Sequence, residues 1–314
     1  MSKWLAFVAA AVMALGVVAC GDDDDDGGNG GGGGGGDLSG SIKIDGSSTV
    51  GPFAQAAAEA FQGENPGVKV SVGTSGTGGG FEKFCAGETD VSNASRPIKD
   101  DEEVPVCKKG GVNYKEVQVA NDGIAVVTNK NLKIDCMTTD ELKKLWNQGS
   151  KVSNYNELNP KFQDAKVSLY GPGTDSGTFD FFTDEINGEE GVSRKEYQPS
   201  EDDNVLVQGV EGDESALGYF GFSYYEQNQD KLGLTGVDGG DGCVKPSNET
   251  IQDGTYKPLA RPLFMYPSDK SLARPEVKAF MDYVLENQTT IAEASQIVPL
   301  TDAQTTEAKT ALGG

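Results

Sequence analysis

The stretch SIKIDGSSTVGPFAQAAAEAF, residues 41–61, contains a short strand, a turn and a helix in close succession. Ser41–Ile44 is predicted as the strand, and the alanine-rich run Phe53–Phe61 as the helix. Pro52 fits the first turn of that helix, where a missing backbone N–H leaves no hydrogen bond unmade. Gly46–Thr49 lies between the two elements. The segment therefore predicts a strand–turn–helix junction with glycine and hydroxyl residues at the N-terminus of the helix.

The same pattern occurs twice more in the chain. The two further junctions occupy residues 68–85 (VKVSVGTSGTGGGFEKFC) and 166–182 (KVSLYGPGTDSGTFDFF). In the first of these, a strand by period-two alternation leads into the turn Gly73–Gly80, and a helix is predicted to start at Phe81. In the second, the turn is Gly171–Thr178 and the helix is predicted to start at Phe179. Three junctions of one type are therefore expected in two halves of the chain.

The N-terminus of the helix at each of these junctions carries backbone hydrogen-bond donors that have no partner within the helix. The first four backbone N–H groups of a helix lack intrahelical partners, and the helix dipole places partial positive charge there. Glycine allows a ligand to approach the backbone closely, and serine and threonine add hydroxyl donors, so such a junction forms a cradle for a small anion. A simple helix N-cap is the alternative for any one junction. Gly73–Gly80 is not a P-loop, because the G-x-x-x-x-G-K-[ST] pattern is absent.

Composition excludes several classes of function. The chain has 314 residues, enough for about two domains, and a formal net charge of −23. This charge argues against a nucleic-acid-binding protein, which needs a basic surface. Histidine is absent, so a Ser–His–Asp triad, a Cys–His pair and a histidine-ligated zinc site are all excluded. A small anion can still bind to this acidic protein if the dipoles at the helix N-termini outweigh the repulsion from distant negative charges. Salt screens that repulsion within about 10 Å.

Arginine is rare in this sequence, with four residues in all. Arg96 lies in the segment NASRPI, residues 93–98, where Pro97 favours an extended conformation. A guanidinium group at a loop or strand end can hold an oxyanion through two parallel hydrogen bonds. We therefore predict Arg96 as a site residue, the alternative being a surface ion pair. Arg194, Arg261 and Arg274 are expected to be surface arginines paired with acidic residues.

The first 37 residues indicate export rather than a folded domain. Residues 1–20 carry Lys3 and an apolar run of about 16 residues, which is short for a bilayer-spanning helix of roughly 20. The run ends in VVAC, which resembles a bacterial lipobox and would make Cys20 the lipidated first residue of the mature chain. An ordinary signal peptide is the alternative. Residues 21–37, rich in aspartate and glycine, are predicted as a disordered tether.

The four remaining cysteines are predicted to form two disulfides, because their number is even and the chain is exported. Three connectivities are open for Cys85, Cys107, Cys136 and Cys243. We prefer Cys85–Cys107 and Cys136–Cys243, which keeps one bridge in each half of the chain.

Four motifs taken together resemble a known family. They are DGSSTV (45–50), TSGTGGGF (74–81), SRPI (95–98) and GTDSGTF (173–179). In this order they resemble the PstS-type periplasmic phosphate-binding proteins, over about residues 41–311. The resemblance implies an α/β fold of the type-II periplasmic binding protein class, with two lobes and a central ligand cleft.

The resemblance and the chain path together suggest where each lobe lies. We expect residues 38–122 with 268–314 to form lobe 1, and residues 123–267 to form lobe 2. An apolar strand pair over 117–127 would carry the chain across, and the segment 259–266 would return it. The resemblance places the predicted C-terminal helix 276–286 on lobe 1.

The same resemblance implies a set of phosphate-binding residues. The predicted set is Ser47, Ser48, Thr49, Ser75, Thr77, Ser95, Arg96, Asp175, Ser176, Gly177 and Thr178. Two positions depart from the best-studied branch of the family: Ser95 stands where an aspartate accepts the proton of phosphate, and Pro172 stands where an arginine lies. Selectivity against sulfate is therefore expected to come from Asp175, Asp90 or geometry.

The function implied is high-affinity binding of inorganic phosphate and its delivery to the permease subunits of an ABC transporter, without covalent chemistry. The protein is expected to be a monomer in the bacterial cell envelope or periplasm, held to a membrane through a lipid on Cys20. No cofactor, metal or nucleic acid is expected. The alternatives are a receptor for sulfate or molybdate, an extracytoplasmic phosphatase with Ser176 or Thr178 as nucleophile, and a surface adhesion protein.

Overall fold

The computed structural model describes residues 38–313. The predicted export signal, Cys20 and the tether lie outside the described residues. The described part contains eleven strands and twelve α-helices. The strands are β1 (Gly40–Gly46), β2 (Val68–Val72), β3 (Val91–Ala94), β4 (Val117–Asn129), β5 (Cys136–Thr138), β6 (Ser168–Pro172), β7 (Gln198–Ser200), β8 (Ala216–Gly221), β9 (Leu232–Asp238), β10 (Cys243–Val244) and β11 (Ala260–Pro267).

The helices alternate with these strands along much of the chain. They are α1 (Gly51–Glu64), α2 (Gly76–Cys85), α3 (Glu103–Gly110), α4 (Thr139–Trp146), α5 (Gly177–Phe182), α6 (Asp203–Gly212), α7 (Phe222–Gln227), α8 (Asn248–Gln252), α9 (Asp269–Leu272), α10 (Pro275–Glu286), α11 (Gln288–Ala294) and α12 (Asp302–Leu312). A π-helical turn, Thr183–Asn187, continues α5. Among residues 38–313, no helix has the length and apolar character needed to cross a membrane.

One path of paired strands runs in the order β2-β1-β3-β11-β4-β8-β6-β7. Strand β1 pairs in parallel with β2 and β3, while β11 is antiparallel to β3 and β4. Strand β6 pairs in parallel with β8 and β7, and β4 joins this part of the path by pairing antiparallel to β8. Because β1 and β2 are parallel, the helices that follow them, α1 and α2, begin at the same edge of the sheet.

The prediction of a strand pair over residues 117–127 is wrong, because these residues all belong to the single strand β4. The chain forms one continuous strand of 13 residues that is buried along almost its whole length. The segment Asn121-Asp122-Gly123 remains extended because each of these residues pairs with β11, Asp122 lying opposite Arg261. The side chains of Asn121 and Asp122 also have partners, in Gln304 and Arg261 respectively. Because these polar side chains have partners within the fold, the chain stays extended through residues 121–123 instead of turning.

Two large apolar cores lie along this path of strands. The first core surrounds α1 and α10, where Phe61 and Phe280 contact edge to face at 5.4 Å between ring centroids. The second core contains the α4 side chains Leu142, Leu145 and Trp146, which are fully buried. Helix α10 therefore packs in the first core, together with β1 and α12.

Both predicted disulfides are present, with the preferred connectivity. Cys85–Cys107 joins the end of α2 to α3, inside a small third core that includes Phe84 and Tyr266. Cys136–Cys243 joins β5 to β10, on either side of β9. One bridge thus supports the helix that follows the glycine-rich loop, and the other joins positions that are 107 residues apart in the sequence.

Candidate functional site

The loop between β1 and α1 is held close to β3. Gly46 has a φ of +143°, and a Cβ atom there would lie 2.1 Å from the carbonyl oxygen of Asn93, so no side chain fits. The N–H of Ser47 donates to that same carbonyl at 2.9 Å. Ser48 and Thr49, which follow, are half-buried. In the described chain, α1 has no side-chain hydrogen bond at its N-cap. The N–H of Gly51 donates to the carbonyl of Ser47 at 3.0 Å, and Pro52 has no N–H, so the first two positions of α1 offer a ligand no free N–H group.

The second junction differs from the prediction in where its helix begins. Helix α2 starts at Gly76, within the segment Gly73–Gly80 that the sequence indicated as a turn. The reason lies in packing: a Cβ on Gly80 would lie 2.4 Å from the Cα of Gly46. Glycine is poor in a helix by propensity, but here it allows the helix to lie directly against the end of β1.

A charged side chain fixes the start of α2. Asp45 accepts hydrogen bonds from the backbone N–H and the hydroxyl of Ser75, at 3.0 and 2.7 Å. It also forms an ion pair of 2.6 Å with Lys83, further along the same helix. Burial acts to raise the pKa of Asp45, but the hydrogen bonds from Lys83 and Ser75 outweigh it and lower that pKa. The hydroxyl of Ser75 is therefore engaged in holding the loop.

The third junction comes into direct contact with the first. Helix α5 begins at Gly177, with Ser176 as its N-cap, whose hydroxyl accepts from the N–H of Thr178 at 3.2 Å. A Cβ on Gly177 would lie 2.4 Å from the hydroxyl oxygen of Thr49 and 2.8 Å from that of Ser48. The N-terminus of α5 therefore lies against the loop that precedes α1.

These junctions surround a cavity of about 540 Å³. Its lining combines hydroxyl side chains, glycines, two arginines and four carboxyl groups, and consists of Ser47, Ser48, Thr49, Ser75, Gly76, Thr77, Gly78, Gly79, Ser95, Arg96, Pro97, Gly177, Asp180, Phe181, Asp184, Glu185, Glu190, Pro258, Ala260, Arg261 and Pro262. Eight of the eleven predicted site residues are in this lining. Asp175, Ser176 and Thr178 are not. The hydroxyls of Thr77 and Ser95 lie 3.1 Å apart and share a hydrogen bond.

Arg96 lies at the cavity but already has a strong partner. Its guanidinium group forms two parallel hydrogen bonds to the carboxylate of Glu103, at 2.9 and 2.6 Å. Hydrogen bonding to Glu103 raises the pKa of Arg96. A bidentate pair of this kind uses the fork that was predicted to hold an oxyanion. Arg96 therefore contributes much less uncompensated positive charge to the cavity than the sequence suggested.

Arg261 is the basic residue that the sequence analysis missed. It lies on β11, and its guanidinium group stacks on the ring of Phe181 at 3.6 Å. It donates to the hydroxyl oxygen of Thr49 at 2.7 Å and to the carbonyl of Gly177 at 3.4 Å, and it forms an ion pair of 3.3 Å with Asp122. Burial lowers its pKa, an effect that Asp122 opposes. Arg261 thus links the first and third junctions at the wall of the cavity.

Arg194, like Arg261, was expected at the surface, and for both residues that prediction is wrong. The Arg194 side chain is 8% exposed and donates to backbone carbonyls. Arg274 is partly exposed and pairs with Asp90 at 2.7 Å. Asp90 is thereby held outside the cavity lining, as is Asp175. Asp90 and Asp175, which the sequence analysis proposed as sources of selectivity against sulfate, therefore do not line the cavity.

A wall of four carboxyl groups faces the cavity instead. Asp180 belongs to α5, Asp184 and Glu185 to the π-helical turn, and Glu190 to the loop that follows. Within residues 38–313 none of these four side chains accepts a hydrogen bond. No group of three histidine, cysteine, aspartate or glutamate residues in the same range is placed to hold a metal ion.

Comparison with known proteins identifies the class of protein. The sequence profile of the PBP superfamily domain matches residues 32–288. The phosphate-binding protein PstS of Staphylococcus saprophyticus is 41% identical, over 99% of this chain and 95% of its own. Protein SphX of Synechococcus elongatus is 44% identical, over 82% of this chain and 77% of its own. The chain therefore belongs to the PBP superfamily and, within it, to the family of PstS-type phosphate-binding proteins.

Solved structures agree with this assignment. A possible phosphate-binding protein from Planctomyces limnophilus is 44% identical and superposes with a TM-score of 0.83, over 88% of this chain and 98% of its own. A putative phosphate ABC transporter substrate-binding protein from Clostridium perfringens, solved with bound phosphate, is 29% identical with a TM-score of 0.58, over 83% of this chain and 100% of its own. The fold is the type-II periplasmic binding protein fold, as the sequence predicted.

Proposed function

We propose that this protein binds inorganic phosphate in the cavity and delivers it to the permease of an ABC transporter. The observation that carries the proposal is the convergence of three strand–turn–helix junctions and Arg261 on one cavity. The relative from Staphylococcus saprophyticus is named a phosphate-binding protein, and one structural relative was solved with bound phosphate. Both facts support phosphate as the ligand of this chain.

In this proposal the anion is held mainly by groups with no net charge. The hydroxyls of Ser48, Thr49 and Thr77 donate to its oxygens, together with N–H groups of the loop before α1 and of the start of α2. Gly177 allows α5 to close on the anion. Arg261 supplies the positive charge, since it bonds Asp122 only through Nε, at 3.3 Å, whereas both terminal nitrogens of Arg96 donate to Glu103. Hydrogen bonds to ionised groups are worth about twice those between neutral groups. The guanidinium of Arg261 is therefore the largest single contribution that we expect.

The remaining predicted site residues have an indirect role in this proposal. Ser176 caps α5 and so fixes the N–H of Thr178, while Asp175 lies in the turn before it. Closure of the predicted lobes, 38–122 with 268–314 against 123–267, would bring α5 and the first two junctions around the anion. The crossing strands β4 and β11 would carry that movement.

The proposed place of action is the cell envelope. We propose that Cys20 carries a lipid that holds the protein to a membrane, that residues 21–37 form its tether, and that it acts there as a monomer. A transport role without covalent chemistry is supported by the complete absence of histidine. It is also supported by the engagement of Ser176, one of the two candidate nucleophiles of the phosphatase alternative, as a helix cap.

Calorimetric titration tests the proposal. The protein is unfolded and refolded to remove bound anion, and then titrated at pH 7 with sodium phosphate, sodium sulfate and sodium molybdate separately. We expect one phosphate per chain with a Kd at or below about 1 µM, equivalent to roughly −8 kcal/mol. Absence of saturable phosphate binding below about 1 mM, equivalent to roughly −4 kcal/mol, or tighter binding of sulfate or molybdate, would contradict phosphate as the ligand.

A further inference from the structure

The segment between α11 and α12 contacts both large cores. Ile297 and Leu300 belong to the first core, around α1 and α10, whereas Val298 belongs to the second. The backbone of Val298 also exchanges two hydrogen bonds with that of Asn121 in β4, at 2.8 and 3.1 Å. We call residues 296–299 the strap, because they connect the two cores in addition to β4 and β11.

Helices α7 and α8, which both pack in the second core, hold the strap through two glutamine side chains. Gln252 of α8 donates to the carbonyl of Pro299 at 2.9 Å, and Gln227 of α7 donates to the side-chain oxygen of Gln296 at 2.5 Å. Gln296 has a φ of +59°, and in the described chain it is the one residue other than glycine with a positive φ. This conformation is unfavourable for a residue with a Cβ atom, so the contacts around the strap keep it in its path.

The strap lies on the face of β4 opposite the cavity. Successive residues of a strand point to opposite faces. Asp122 pairs with Arg261 at the cavity, whereas its neighbour Asn121 donates to the carbonyl of Pro299 at 3.2 Å. None of the strap residues is among the described residues that line the cavity. Any effect of the strap on binding therefore acts through the arrangement of the two cores.

Contacts on both faces of β4 are present together in this structure. On the cavity face, Arg261 donates to the hydroxyl oxygen of Thr49 in the first junction and to the carbonyl of Gly177 in the third. Opening of the cavity by rotation about β4 and β11 would move the elements behind these strands towards each other. The strap and α8 are already at hydrogen-bond distance there, so this rotation must break or displace their contacts.

We propose that the strap resists opening of the cavity, and that Gln252 and Gln296 are positioning residues that raise phosphate affinity without contacting the anion. The inference rests on the proposed function and on the two lobes proposed with it. A ligand that binds the closed arrangement has an apparent affinity in proportion to the fraction of anion-free protein that is closed. Contacts that disfavour opening raise this fraction and so tighten binding.

The double variant Gln252→Ala/Gln296→Gly removes both side-chain hydrogen bonds with little other change. Asn121 still donates to the carbonyl of Pro299, so this acceptor keeps a partner. Glycine adopts a positive φ readily, so the strap can keep its path. We expect calorimetric titration of the anion-free double variant at pH 7 to give phosphate binding about 5- to 20-fold weaker than that of the wild type, because two hydrogen bonds that favour the closed arrangement are lost.

Gln62→Ala is the matched control. Gln62 donates to the carbonyl of Ala58 and accepts from the N–H of Val70, and both of these residues belong to the first core. Its loss should lower the thermal unfolding midpoint, because two hydrogen bonds are removed, but it bridges no cores. Phosphate affinity should therefore stay within about twofold of the wild type.

Small-angle X-ray scattering measures the opening without a ligand. We expect the anion-free double variant to have a larger radius of gyration than the anion-free wild type, and the two radii to agree when both proteins are saturated with phosphate. A merely structural role of the two glutamines would lower the unfolding midpoint and leave the anion-free radii equal.

Three results would overturn the proposal: phosphate binding by the double variant that is as tight as in the wild type or tighter, an equal loss of affinity in Gln62→Ala, or equal radii of gyration for the anion-free wild type and double variant. Failure of the wild type to bind phosphate would instead contradict the proposed function. The comparison of the anion-free radii would still test the strap in that case.

Discussion

At the scale of single residues, Arg261 has a larger expected effect on anion binding than Arg96. Both arginines line the cavity, but Arg96 donates two hydrogen bonds to Glu103, whereas Arg261 reaches the hydroxyl of Thr49. We expect Arg261→Met to weaken phosphate binding by roughly 10- to 100-fold, because charge-assisted hydrogen bonds contribute about 1.5–3 kcal/mol. Calorimetric titration at pH 7 measures the change.

The single substitution Arg261→Met also leaves Asp122 buried without its cation. The double variant Arg261→Met/Asp122→Asn removes both charges, so its phosphate affinity reports the loss of the guanidinium group alone. Arg274→Met, which breaks an ion pair with Asp90 outside the cavity, serves as the control and should bind phosphate like the wild type. Phosphate binding within about twofold of the wild type in the double variant would show that Arg261 does not hold the anion, since that ratio is worth less than about 0.5 kcal/mol.

The contrast between hydroxyl and charged residues shows what the sequence can predict about the site. Ser48, Thr49 and Thr77 were predicted because each lies in a short motif that resembles the family's, at the turn of a strand–turn–helix junction. Arg261 was missed because its partner Asp122 is 139 positions away, and the two meet only when β11 pairs with β4.

At the scale of elements, the approach of α5 to the first junction depends on one glycine. A Cβ at position 177 would lie 2.4 Å from the hydroxyl oxygen of Thr49 and 2.7 Å from its backbone nitrogen, an atom that cannot move aside easily. We expect Gly177→Ala to weaken phosphate binding by about 10-fold or more, since overpacking typically costs about 1–3 kcal/mol. The thermal unfolding midpoint should change little, because the contact borders the cavity rather than a core.

A matched glycine substitution provides the comparison. Gly63 lies in α1, and a Cβ atom at this position would meet no described atom within 4 Å apart from its chain neighbours and the backbone of its own helix. Alanine favours a helix over glycine by up to about 1 kcal/mol. Gly63→Ala should therefore keep phosphate affinity and stabilise the fold slightly. If Gly177→Ala binds phosphate as tightly as Gly63→Ala does, the close contact between α5 and the first junction is not needed for binding.

The elements themselves were predictable to different degrees. Strand β2 has the predicted bounds, because apolar and polar residues alternate along Val68–Val72. Helix α2 begins earlier than predicted because close packing of Gly80 against Gly46 outweighs the low helix propensity of glycine. Strand β4 continues through Asn121-Asp122-Gly123 because its hydrogen-bond partners come from distant parts of the chain. The local sequence pattern was enough to predict that these strands and helices form. The residues at which α2 and β4 begin or end depend on contacts with distant parts of the chain.

At the scale of the whole molecule, the ligand and the protein carry charge of the same sign. The net charge is −23, and the cavity has a wall of four carboxyl groups with no cation of their own in the described chain. A dianion 10 Å from one carboxylate in water experiences repulsion of about 0.8 kcal/mol before screening, and the Debye length falls from about 30 Å at 0.01 M salt to about 10 Å at 0.1 M. The helix N-termini and Arg261 act at contact distance, where salt screens much less.

Phosphate binding should therefore become tighter as salt is added, in contrast to an anion site on a basic protein. We expect at least a fivefold gain in affinity between about 10 and 300 mM sodium acetate, corresponding to about 1 kcal/mol of relieved repulsion. Repeating the titration in sodium chloride identifies competition by the salt anion, which would differ between the two salts. The double variant Asp184→Asn/Glu190→Gln lacks half of the acidic wall and should respond less to salt. Affinity that falls with salt in both series would mean that attraction to charged side chains, rather than local dipoles, dominates binding.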